Sequence, residues 1–138
     1  MGELDSLKES LRQLEQQLAA KKAERQRYFD IAEEIETIYN RMAEDKDALK
    51  NYRSNVKTFG KEDITTFKGK LYTESYKQKI QELLDDYDTV IDNLDSNMDQ
   101  LNTLRADYEN KGYQCNGPIG YLQSSVNSLI HTIQNWIN

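Results

Sequence analysis

The chain has 138 residues, 24 acidic and 18 basic, for a net charge of −6. That balance argues against a protein that tracks nucleic-acid phosphates, and a single cysteine is too few for an intrachain disulfide or a thiolate metal cage. No run approaches the roughly 18 apolar residues of a membrane span, and the charged opening MGELDSLKES lacks the apolar core of a secretory signal. The expectation is an acidic, mostly helical, cytoplasmic protein with no cofactor, no nucleic-acid partner and no stable membrane insertion.

Helix interiors disfavour glycine by about 1 kcal/mol and proline by about 3 kcal/mol, so a chain that confines both to a few places marks its own turns. After Gly2 the glycines fall at 60, 69, 112, 117 and 120, and the one proline is Pro118. The first glycine-free run predicts helix 1 over about 3–59. It opens with Leu4, Leu7, Leu11, Leu14 and Leu18, the 3-4 spacing of a coiled-coil seam. The frame continues through Tyr28, Ala32, Ile35, Tyr39, Met42, Leu49 and Val56, interrupted by Lys21, Arg25, Lys46 and Arg53.

A bend is predicted at about 60–69, where the seam breaks. Helix 2 follows over about 70–111, with Ile80, Leu84, Tyr87, Ile91, Leu94, Met98, Leu101 and Tyr108 on the same rhythm. Gly112, Asn116 and Pro118 suggest a helix stop, a cap and a first turn, hence a loop over 112–118. Helix 3 is expected over about 119–137, with a stripe of Ile119, Leu122, Val126, Leu129, Ile133 and Trp136 and no Asp, Glu, Lys or Arg. The predicted fold is all-α: one domain over 1–138, a long antiparallel, coiled-coil-like helical hairpin with a C-terminal helix.

Helix 1 outruns helix 2, so part of Leu4, Leu7, Leu11, Leu14 and Leu18 lies beyond the end of its partner. Either the third helix folds back over that stripe or another chain does. The two stripes, Leu4–Leu18 and Ile119–Trp136, are therefore the expected partner-binding residues.

Charge falls in blocks. Asp85, Asp88, Asp92, Asp95 and Asp99 each follow a seam residue by one position and form an acidic ridge at the flank of the seam. A hairpin closing near residue 65 sets residue i opposite about 130 − i, which puts this ridge beside the acidic stretch 31–45. Helix 1 then leaves the ridge unneutralised. It is either a solvated polar face or a surface waiting for a basic partner helix.

Little here suggests catalysis. His131 and Cys115 are the only reactive candidates, and no nucleophile elbow, phosphate loop, zinc spacing or calcium loop occurs. The chain is not expected to be an enzyme.

The bend holds Phe67-Lys68-Gly69 between two amphipathic helices. It resembles the W-x-G turn of the small Esx-type hairpins of type VII secretion, with Phe in place of Trp. The run Thr66–Lys70 and the Gly-x-Ile-Gly-x-Leu-x-Ser-Ser-x-x-Ser-Leu pattern from Gly117 to Leu129 resemble the larger YwqH-like branch, which accompanies LXG toxins. The resemblance implies a chaperone-like targeting factor that pairs with the helical N-terminal domain of an LXG-type toxin. A second small helical protein and the membrane-bound secretion ATPase are the further partners implied; the chain either stays in the cytoplasm or is exported alongside the cargo, and the toxin or the second helical protein is an equal candidate to carry the export signal. None of the nine tyrosines has an acid four residues on, so the usual Tyr-x-x-x-Asp/Glu export signal is missing. Phe29 with Glu33 and Phe59 with Asp63 have the Phe version of that spacing; Phe59 and Asp63, beside the bend, are the expected signal if this chain carries one. The rival readings are a self-associating cytoplasmic coiled-coil scaffold and an antitoxin-like inhibitor that uses its acidic belt.

Overall fold

Long glycine-free runs with a 3-4 apolar rhythm fold here as long helices. A computed structural model of the chain describes residues 2–61 and 70–138. Helix α1 spans Gly2–Lys61, α2 spans Lys70–Gln114 and α3 spans Asn116–Ile137. No strand occurs among the described residues, and no helix there is long and apolar enough to cross a membrane. The fold is the all-α helical hairpin that the periodicity predicts. The seam of α1 runs without a phase break from Leu4 to Gly60, with Lys21, Arg25, Lys46 and Arg53 occupying seam positions rather than ending the helix.

The predicted loop over 112–118 is not a loop. α2 continues through Gly112 to Gln114, and Cys115, itself right-handed helical (φ −68°, ψ −20°), is the one residue between α2 and α3. The Cys115 N–H donates to Gly112 O at 3.2 Å and the Ile119 N–H to Cys115 O at 3.0 Å. The axis bends by 19° at residue 115. Pro118 explains the bend, because it has no N–H for the Gln114 carbonyl and its ring crowds that carbonyl. The helix survives because the seven-residue frame passes through 108, 112, 115, 119 and 122 without a slip. Burial of the seam there outweighs the helix-breaking tendency of Gly112, Gly117 and Gly120. Asn116 does not act as a cap; it opens α3, and its Oδ1 accepts a 2.9 Å hydrogen bond from Arg25 Nη1.

Contacts divide the chain into two compact units. In the first, residues 1–34 pack with residues 104–138. Leu18, Cys115, Ile119 and Val126 form its buried cluster, with Leu11, Leu14, Tyr28 and Leu122 packed against them. α3 does not fold back over a hairpin. It extends the line of α2 so that its stripe lies along the N-terminal stripe of α1, and each covers the other. The two helices approach closely at Gly112: a Cβ there would lie 2.7 Å from Phe29 Cε1 and Cζ, so the ring would have to shift. The Phe29 ring then meets Tyr113 edge-on, with centroids 5.2 Å apart. Lys111 Nζ sits 4.8 Å from the Tyr108 ring centroid and 6.0 Å from that of Tyr28, a cation–π arrangement.

The second unit is Ile35–Thr103, where α1 and α2 run antiparallel. Among its described residues, Ile35, Leu84, Ile91 and Met98 are buried. Lys46 pairs with Asp95 and Arg53 with Asp88, so residue i of α1 faces about residue 140 − i, not 130 − i. The acidic ridge consequently lies beside the basic stretch from Lys46 to Lys57, not beside 31–45. The earlier expectation that helix 1 leaves it unneutralised is corrected by these two bridges.

Candidate partner-docking surface

Each of the expected stripe residues has a definite place. Leu4, Leu7, Leu11, Leu14, Leu122 and Leu129 are half-buried and Leu18, Ile119, Val126 and Ile133 buried, all in the seam of the first unit. Trp136 is exposed at the end of α3. These side chains hold the chain together, and only Trp136 is broadly presented for a partner. The turn motif Phe67 and Gly69, together with Asp63, lies outside the described residues. Phe59 is described; it is exposed near the end of α1. Cys115 is buried in the seam with its Sγ 3.4 Å from Lys111 O, while His131 stands exposed on α3.

The acidic ridge is two features. Asp88 and Asp95 flank the seam and are half-buried beneath their α1 partners; Arg53 holds Asp88 through Nε–Oδ1 at 2.6 Å and Nη2–Oδ2 at 3.1 Å. Asp85, Asp92 and Asp99 fall one position after Leu84, Ile91 and Met98, on the outward face, and are exposed. The hydrogen bond and charge of Asp88 raise the affinity of Arg53 for its proton, and Asp95 does the same for Lys46. Asp85, on the outer face, accepts from Gln81 Nε2 at 2.9 Å.

The seam of the second unit has two unlike flanks. Writing Ile35, Met42, Leu49 and Val56 as d and Tyr39, Lys46 and Arg53 as a, the e flank of α1 holds Lys50 and Lys57 and meets Asp88 and Asp95 of α2. The g flank holds Ile38, Asp45, Tyr52 and Phe59 on α1 and Tyr76, Leu83, Val90 and Asn97 on α2. In an antiparallel pair the two g rows come together on one side. The Phe59 and Tyr76 rings do so, with centroids 6.0 Å apart at 59°. The same register sets Tyr52 opposite Leu83 and Asp45 opposite Val90. Ile38, Tyr52, Phe59, Leu83 and Val90 retain 42% to 57% of their surface.

An apolar ridge thus runs along one side of this unit. Helices with apolar a, d and g positions have the pattern of a multi-helix bundle, whereas a two-stranded coil needs only a and d. The burial agrees: no described side chain falls below 2% exposed, as expected where a seam is a single layer between two helices. Ile38, Tyr52, Leu83 and Val90 were missed by a reading that followed the 3-4 stripe alone. The signal was present in the seven-residue steps from Tyr52 to Phe59 and from Tyr76 through Leu83 to Val90. Searches against family models, curated proteins and solved structures find no match for this chain.

Proposed function

We propose that this chain is a non-catalytic pairing and targeting protein, which lends a helical face to the helical N-terminal domain of a larger LXG-type protein bound for type VII secretion. The observation that carries the reading is the g-row ridge of Ile38, Tyr52, Phe59, Leu83 and Val90, apolar and half-exposed beside a seam that is already filled. Contiguous exposed apolar surface on a strongly charged protein marks an interaction site. The partner class comes from the resemblance of Phe67–Gly69 and Gly117–Leu129 to the Esx-type and YwqH-like proteins. In this reading the protein works in the cytoplasm, leaves with its cargo, and accommodates a second small helical protein on the same bundle.

The test is capture of the tagged chain from its own host, followed by identification of what accompanies it and where it is joined. Recovery of a larger protein bound through a helical N-terminal domain, lost on Val90→Glu, is the expected result. Binding through a C-terminal toxic domain instead would make this chain an inhibitor, and binding indifferent to Val90→Glu would move the interface off the ridge.

A further inference from the structure

Two glycines of α3 stand where the packed structure makes no use of them. A Cβ on Gly60 would come 2.6 Å from Ile80 Cγ2, and one on Gly112 2.7 Å from the Phe29 ring, so both sit at close helix contacts. A Cβ on Gly117 or Gly120 would meet nothing within 4 Å, and both residues lie within helix α3. Alanine fits at either place, and helix propensity favours it. What these glycines do is weaken the helix, on either side of Pro118, which has no N–H to give. Gly112, Gly117, Pro118 and Gly120 thus gather the helix-weakening residues of this run at the root of α3. Beyond that root the grip on α1 is apolar, with Ile119, Leu122 and Val126 packed among Leu11, Leu14 and Leu18. α3 has no Asp, Glu, Lys or Arg with which to make an ion pair, and its hydrogen bond to α1, from Arg25 to Asn116, lies at the root itself.

From this placement we infer that α3 is a strap that opens about residues 112–120, releasing the N-terminal turns of α1 with it, while the Ile35–Thr103 unit stays folded. Proteins open locally through their least stable cooperative unit, and a helix weakened at its root and held by one apolar stripe is such a unit. In the closed form the stripes Leu4–Leu18 and Ile119–Ile133 cover each other. One opening step bares both, so the apolar surface that the first unit offers is set by that equilibrium. Gly117 and Gly120 tune it, because each gives up an unfavourable helical state when the strap opens. The inference goes beyond the docking ridge and rests neither on it nor on the identity of any partner.

The chain carries its own probe. Cys115, its one cysteine, is 4% exposed in the seam at the root of α3, so its rate of reaction with iodoacetamide reads the opening of the unaltered protein. The expected rate in native buffer depends on urea far less steeply than global unfolding followed by circular dichroism. Gly117→Ala combined with Gly120→Ala slows the reaction about twentyfold, roughly four- to fivefold for each alanine. Ile133→Ala, at the far end of the stripe, speeds it about thirtyfold, which a fluctuation confined to Cys115 would not do. Ile91→Val, in the Ile35–Thr103 unit, leaves the rate unchanged. A urea dependence equal to that of global unfolding overturns the inference. So does a rate indifferent to the paired alanines or to Ile133→Ala, and so does acceleration by Ile91→Val in step with its loss of stability.

Discussion

Arg53 on α1 and Asp88 on α2 are joined by two parallel hydrogen bonds, although Arg53 occupies a seam position where an apolar residue would be expected. Seven residues away the Lys46 ammonium reaches one carboxylate oxygen, Oδ1, of Asp95. Charged seam residues trade some packing for a defined register, because they are satisfied in one alignment only. Asp88→Asn together with Asp95→Asn is therefore expected to lower the melting temperature by a few degrees. Asp92→Asn with Asp99→Asn, on the outer face, should leave it unchanged or raise it slightly by easing repulsion along α2. Thermal denaturation followed by circular dichroism at low salt separates the two; equal effects would return all five aspartates to a single solvated face.

Alkaline pH should weaken the fold through the same bridges. Lys46 is held above its ordinary proton affinity by its hydrogen bond with Asp95, and Tyr28 above its own by the hydrogen bond its hydroxyl donates to Glu24 at 3.1 Å. A raised value in the folded state contributes stability below the unfolded value and loses it as pH rises through the folded one. The melting temperature is thus expected to fall above about pH 10, where lysine and tyrosine ordinarily titrate. Lys46→Met combined with Tyr28→Phe should flatten that fall. An equally steep decline in the double variant would assign it to other groups.

Gly112 is retained by contact with Phe29, not by any turn. Inside a helix Gly→Ala ordinarily gains about 1 kcal/mol, but here the added methyl meets the far edge of the Phe29 ring at 2.7 Å. Overpacking of that kind costs about 1–3 kcal/mol unless the neighbour moves. Gly112→Ala alone is expected to be neutral or destabilising, whereas in a Phe29→Ala background it should stabilise by about 1 kcal/mol. A double-mutant cycle by urea denaturation measures the coupling; additive effects would mean that the ring swings away freely.

The reach of the sequence differs between these elements. The helices and the hairpin were legible because the seven-residue frame is continuous in Leu4–Val56 and again in Ile80–Tyr108. Gly112 was misread because it was weighed as a local helix stop, when its place in the frame, four residues after Tyr108 and three before Cys115, decides its fate. The register slipped by about ten residues because it was counted from an assumed midpoint of the bend, whereas side-chain complementarity between Arg53 and Asp88 sets it. The docking ridge was hidden for a related reason. Isolated residues such as Tyr52 and Val90 acquire meaning only when the antiparallel register brings both g rows to one side.

The first unit makes its own prediction, because α3 supplies the only cover seen for the N-terminal stripe among the described residues. Short isolated helices are marginal in water without a packed face, and Leu11, Leu14 and Leu18 pack against Ile119, Leu122 and Val126. A chain ending at Cys115 should therefore lose more helix than the 22 residues of α3 account for, since about the first five turns of α1, through Leu18, melt with it. The single change Ile119→Ala, at a buried seam position, should cost about 2 kcal/mol, the low end of the usual range for a core deletion, because the site keeps 8% exposure. Ile137→Ala, at 64% exposure, should cost almost nothing. Far-UV circular dichroism of the truncated chain and urea titration of the two variants check these values. Loss of no more helix than α3 itself contains would show that the N-terminal stripe of α1 is held by its own propensity instead.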